Sequence, residues 1–183
     1  KQDKVVQVKV ANGRILTEIA TFEMATQVDA IISVPVMKTH DQGQVTLALK
    51  NLKGLVTDGD KRRIHLEGMF EGATDLVAHF KPVFAVVDAV IGQEGMGPLL
   101  GMPVEMGLIL AGADLVAVDA IAGRVMGFAP DEVPITKAAA ERGLGTLDES
   151  EIEVVGERAA DVQRRFVRCE EDDRIDSAGI DVV

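Results

Sequence analysis

The 183-residue chain has one cysteine, no tryptophan, no tyrosine and six phenylalanines. Cys169 alone can form no internal disulfide, nor by itself complete a Cys-ligated iron–sulfur cluster or a four-cysteine zinc site. A single free thiol fits a reducing, cytoplasmic setting. The shortage of aromatics removes the stacking platforms that hold single-stranded nucleic acid. Positive charge is also scarce: 19 Lys and Arg stand against 30 Asp and Glu, a formal net charge of −11. Most of the excess lies in 101–183, with 8 basic and 18 acidic residues against 11 and 12 in 1–100. Counterion release needs a basic face, so nucleic acid is excluded as a general partner. No apolar run approaches the ~20 residues that span a bilayer, so no membrane partner is expected. No signal-peptide pattern is present, and without an initiator methionine Lys1 reads as a processing boundary.

What remains is a globular composition, 47% hydrophobic and 27% charged, enough for one core. Val5, Val6, Val8 and Val10 form a β-rich run before the turn signal Asn12-Gly13, so a hairpin opens the chain, with its return over 14–19 and a short helix over 22–27. The apolar run 30–36 reads as a strand buried on both faces, and 82–87 as a second, ended by Asp88. A third strand is expected over 106–113, after a glycine-rich loop from Gly92 to Pro103. Helices are expected over 45–52, 70–80, 115–126 (with Asp114 as N-cap), 130–142 and 157–168, and 58–63 reads as a polar loop. Ile152–Val155 reads as a last strand. Alternating strands and helices predict an α/β fold with a mainly parallel sheet flanked by helices and an added N-terminal hairpin. Residues 1–168 read as one domain, of which 1–27 is a remnant of a larger N-terminal part, and 169–183 as an acidic, loosely held tail.

The densest polar segment follows the first apolar strand: Lys38, Thr39, His40 and Asp41. Ten residues on come Lys50, Asn51 and Lys53, with both lysines on one helix face. Ammonium groups on flexible stems suit phosphate or carboxylate; the plain alternative is a solvated basic patch beside a helix C-terminus. His40 and His65 can serve as acid and base, or as two metal ligands, although their spacing matches no zinc signature. His79 is explained by its helix C-terminus. Asp88 and the glycine-flanked Glu94 offer carboxylates for a divalent metal or a base, and a structural glycine loop explains them equally. Asp119, inside an apolar helix, is costly to bury alone and is expected to pair with a cation from the Lys38 or Lys50 region. Cys169 precedes an acidic run that raises a thiol pKa, which disfavours it as a nucleophile.

The segments Val34-Pro35-Val36-Met37-Lys38-Thr39-His40 and Val45-Thr46-Leu47-Ala48-Leu49-Lys50-Asn51-Leu52-Lys53-Gly54 resemble the domain-of-unknown-function 362 family. Val87-Asp88-Ala89, Glu94-Gly95-Met96-Gly97-Pro98 and Ala113-Asp114-Leu115-Val116-Ala117-Val118-Asp119 follow in the same order, so the resemblance covers roughly 29–145. It implies a prokaryotic protein of an uncharacterised family often joined to ferredoxin-like modules, but the cysteines of such a module are absent here. The resemblance gathers the polar groups into one expected pocket for an anionic small molecule. In it Lys38, Thr39, Lys50, Asn51 and Lys53 bind the anion, His40 and Glu94 act as acid and base, and Asp88, His65 and Asp119 are candidate metal ligands. A second expectation is a redox-partner or assembly domain that docks a ferredoxin-like iron–sulfur partner.

Overall fold

The computed structural model describes residues 4–129 and 131–172. Strands β1 (Val5–Lys9) and β2 (Glu18–Phe22) pair antiparallel as the expected hairpin, with Asn12 at φ +58° in the turn. The return strand lies later than 14–19, and a single 3₁₀ turn, Glu23–Thr26, follows it where a helix was expected. The hairpin is tied down by one carboxylate. Asp75, itself buried, accepts the N–H groups of Arg14 (2.8 Å), Ile15 (2.8 Å) and Leu16 (2.9 Å), and the Arg142 guanidinium closes on it.

The main sheet is built from β3 (Ile32–Ser33), β4 (Val36–His40), β5 (Gln44–Thr46), β6 (Phe84–Glu94) and β7 (Met102–Gly112). Strands β3 and β4 lie end to end along one side of β6 and run parallel to it, so the sheet is mainly parallel at its centre. Its flanks are antiparallel: β5 returns beside β4, and β7 runs back along the whole of β6. The expected third parallel strand is therefore the second arm of a long hairpin. The glycine loop is only its tip, because β6 continues through Asp88 to Glu94.

Helices α1 (Ala48–Asn51) and α4 (Leu115–Val125) lie on the sheet. Against them pack α3 (Met69–Phe80) and α5 (Pro134–Glu141), while α2 (Asp58–Glu67) packs on α3 and β2. Residues 58–63, expected as a loop, form the start of α2: Asp58 and Asp60 complement the positive end of its dipole. The expected helix over 45–52 is split into β5, α1 and a 3₁₀ turn at Leu52–Leu55. Asp114 caps α4 as expected, accepting from Val116 N (2.8 Å) and Ala117 N (3.0 Å).

The helices cover one sheet face, with Ser33, Met37, Ala85, Val87 and Ala89 turned into the core. Among the described residues, much of the opposite face is left uncovered. Val34 is 61% exposed and Ile109 67%, with Ile32, Val36, Phe84 and Val90 also open to solvent. The run 30–36 is thus buried on one side only, and its residues alternate in and out as in a half-covered strand.

Ile152–Val155 forms no strand among the described residues, and of the expected helix over 157–168 only α6 (Ala159–Val162) is helical. The chain then runs extended as a strap. Arg164 N and Phe166 N donate to the carbonyls of Val125 and Met126 (2.9 Å each), and Gly95 N donates to Val167 O (2.8 Å). Gly127, at φ +87°, lets the strap pass: a Cβ there would lie 2.9 Å from Arg165 Cα. Cys169 and Asp172 are buried and Asp172 accepts from Met96 N (2.9 Å), so the segment expected to begin a loose tail is docked as far as 172. Residues 173–183 lie outside the described residues.

Candidate functional site

The carboxyl ends of β4 and β6 meet β5 and α1 at one corner of the sheet, the end of parallel strands where α/β sheets carry ligands. Lys38 lies in register between Thr46 of β5 and Gln93 of β6, so these three form a row on one face. His40 is two residues further along β4. Lys50 follows on α1, Lys53 on the next turn, and His65 on the last turn of α2.

Lys50 is 9% exposed and Lys53 8%, yet neither ammonium makes an ion pair among the described residues. Burial is the main reason that both shed protons easily. It lowers Lys50 from the ordinary 10.5 to about 7, with Lys53 and Lys38 adding repulsion and only Asp41 opposing. It lowers Lys53 to about 8, with Lys61 adding repulsion. His40 falls to about 4, through burial first and then Lys50, His65 and Lys53, against Asp41. At neutral pH His40 is therefore uncharged. Its Nδ1 accepts from Gln42 N (3.1 Å) and lies 2.7 Å from Asp41 Oδ1, so the proton of the neutral ring is on Nε2. The His65 ring stacks beside it, centroids 6.4 Å apart. His65 Nδ1–H donates to Gln42 Oε1 (2.9 Å), so its Nε2 accepts from Lys53 Nζ (2.6 Å). The corner thus holds three lysines, two histidines and one nearby carboxylate. Thr46 Oγ1 and Gln93 Oε1, both beside Lys38, are buried without a hydrogen-bond partner.

The structure gathers Lys38, His40, Lys50, Lys53 and His65, and sends the other predicted residues elsewhere. Thr39 points to the opposite side of β4 from Lys38, where Oγ1 donates to Gly95 O (2.8 Å). Asn51 Nδ2 donates to Ser33 Oγ (3.2 Å), whose hydroxyl in turn holds Ala48 O (2.9 Å). Glu94 is held by the strap, accepting from Val167 N (2.9 Å). Asp88 stands on the uncovered sheet face and accepts from Val90 N (3.0 Å). Asp119 pairs with no cation. It accepts Ala48 N (2.8 Å) and Leu49 N (3.0 Å), so it secures the first turn of the helix that carries Lys50. Burial pushes its carboxyl up to about 7 against those two bonds. Asp88, His65 and Asp119 thus occupy three separate settings, and among the described residues no three His, Cys, Asp or Glu side chains converge as metal ligands. Burial, then Asp41 and Glu170, raise the Cys169 thiol.

Thr46, Gln93 and Gln42 were not singled out from sequence. Thr46 and Gln93 join the site through strand register, which no spacing along the chain displays. Gln42 directly follows the Lys-Thr-His-Asp run, and that adjacency was the available signal. Two hollows lie away from this corner. One of about 570 Å³ is bounded by β7, α4 and 146–162, and one of about 350 Å³ lies between the first hairpin and the end of α3.

An α/β domain with a cationic corner at the strand ends is the class this geometry defines. The chain belongs to the family described as domain of unknown function DUF362, whose model matches residues 1–124. It is also similar to the thylakoid-associated protein sll1697 of Synechocystis sp. (strain ATCC 27184 / PCC 6803 / Kazusa), at 30% identity over 147 residues. That match takes in 74% of this chain and 46% of the relative, so the chain spans about half the relative's length. No solved structure matches the chain. Among the described residues no helix is long and apolar enough to cross a membrane.

Proposed function

We propose that this domain binds a small carboxylate or phosphate at the corner formed by Lys38, Lys50 and Lys53, and that His40 exchanges a proton with the bound molecule. The observation that carries the reading is the pair of buried lysines, Lys50 and Lys53, neither of which has a carboxylate partner among the described residues. A buried cation without a counter-ion is costly, and an anion arriving from solvent removes the cost. The orphaned Thr46 hydroxyl adds a neutral donor beside Lys38. His40, uncharged and with Nδ1 occupied by the Gln42 N–H, carries its proton on Nε2, where it can be shared with the bound molecule.

Isothermal titration with inorganic phosphate, sulfate and lactate at pH 7 tests this. At least one of them binds, and Lys50→Met and Lys53→Met each weaken it by roughly tenfold or more, the scale of a lost charge-assisted contact. No binding of any probe to the folded wild-type chain, or unchanged binding in both variants, overturns the proposal. Circular dichroism confirms that each variant is folded before it is scored.

A further inference from the structure

We infer that Lys50 is an amine nucleophile, and that the anion bound at this corner carries a carbonyl group, as a 2-oxo acid does, with which Lys50 forms a reversible imine. The inference rests on the anion-binding reading above and goes beyond it, because an anion clamp needs only charge. Three features of the corner separate Lys50 from a clamp.

First, Lys50 is held rather than free. Its stem lies along the backbone at Gly43, where an added Cβ would stand 3.6 Å from Lys50 Cε. Its own helix turn is anchored by the two hydrogen bonds to Asp119. A side chain already ordered loses little freedom in reaching a defined attack position. Second, the work of holding an anion is covered by other cations. Lys38 and Lys53 both bear on Lys50, and Lys53 is itself oriented by His65 Nε2. Third, the neighbours keep Lys50 in the reactive form. Facing it are Lys38 and His40 from β4, Asp41 after it, Lys53 from the following turn, and His65 from α2. Only Asp41 favours the ammonium, so near neutral pH about half of Lys50 is free amine, as its value of about 7 requires.

The step balances without an external oxidant or reductant. The lone pair of the neutral Lys50 Nζ adds to the carbonyl carbon. One amine proton passes, by way of solvent water, to the carbonyl oxygen to give a carbinolamine. Loss of water then leaves the C=N bond, and hydrolysis reverses it. The carboxylate of the 2-oxo acid stays with Lys53 and Lys38 throughout.

Pyruvate with sodium borohydride, followed by intact mass and peptide mapping, tests the step, because hydride reduces the imine to a stable secondary amine. The expected result is one adduct per chain, on Lys50, suppressed by excess lactate, which has the carboxylate but no carbonyl. Lys50→Arg keeps a cation but has no primary amine and is expected to form no adduct; an adduct of the same mass in that variant overturns the assignment to Lys50. If lactate and pyruvate both bind but nothing is trapped, or the adduct scatters over exposed lysines such as Lys81 and Lys137, the imine is refuted and the anion site stands. If neither binds, both readings fall together.

Discussion

Asp75 on α3 and Lys50 on α1 are charged side chains shut away from water in the same domain. Asp75 is met by three backbone N–H groups and a guanidinium, whereas no carboxylate is paired with Lys50 among the described residues. Arg142 extends the Asp75 cluster by donating to Asn12 O (2.8 Å), so one carboxylate joins the first hairpin, α3 and the end of α5. Those bonds hold the Asp75 carboxyl below its ordinary range although burial pushes the other way. Around Lys50 the neighbours add to the burial penalty. The fold has therefore completed one buried charge and left another unfinished. The unfinished one stands at the strand ends, beside Lys38, His40 and Lys53.

The sharpest way to break this comparison is to remove each charge in turn. Asp75→Ala leaves Arg142 and three N–H groups without their acceptor and is expected to cost about 3–5 kcal/mol, read as a lower urea midpoint. Lys50→Met removes a buried charge that nothing offsets, so its midpoint should stay level or rise by up to about 1 kcal/mol. A loss of more than ~2 kcal/mol in the Lys50 variant would mean that Lys50 is as structural as Asp75.

A second test uses pH. Between about 7 and 10.5 the unfolded chain keeps a proton on Lys50 that the folded chain has released, so stability from this residue rises with pH across that window. The wild-type minus Lys50→Met difference should follow that rise, and saturating phosphate should flatten it by holding the ammonium form. Asp75 titrates with the same sign in the acid range. Its contribution is full above about 3.8 and is lost as pH falls through its lowered folded value. The smallest effect is expected at the exposed pair Arg124–Glu149, 3.0 Å apart, where Glu149→Gln should shift stability by no more than about 0.5 kcal/mol.

Much of the site could be read along the chain because its cations are near neighbours: Lys38 and His40 on one strand, Lys50 and Lys53 on successive turns. The first hairpin was equally legible, from the valines at 5, 6, 8 and 10 and Asn12-Gly13, and α4 from its cap at Asp114. Strand direction left no such trace. The apolar run 106–113 fits a parallel or an antiparallel strand, and only its pairing with 84–94 shows the second. Helix α2 went unseen because its solvent-facing residues supply charge without an apolar stripe. Asp119 was correctly recognised as a buried acid in need of partners, but its partners are backbone amides, which a search among charged side chains does not reveal. Asp75 escaped notice for a related reason: three of its four donors are main-chain N–H groups from a segment about sixty residues away.

The strap at 163–172 bears on the order in which the molecule can be completed during synthesis. It holds Gly95 and Glu94, and the loop they begin receives the Thr39 hydroxyl and the Asp41 N–H, the latter on Gly97 O (3.2 Å). A ribosome makes 38–53 early, but the last hydrogen bonds behind that loop wait until Phe166, Val167 and Cys169 have left the exit tunnel. A nascent chain stalled between Lys53 and Phe166 carries every lysine of the corner and lacks the brace behind it.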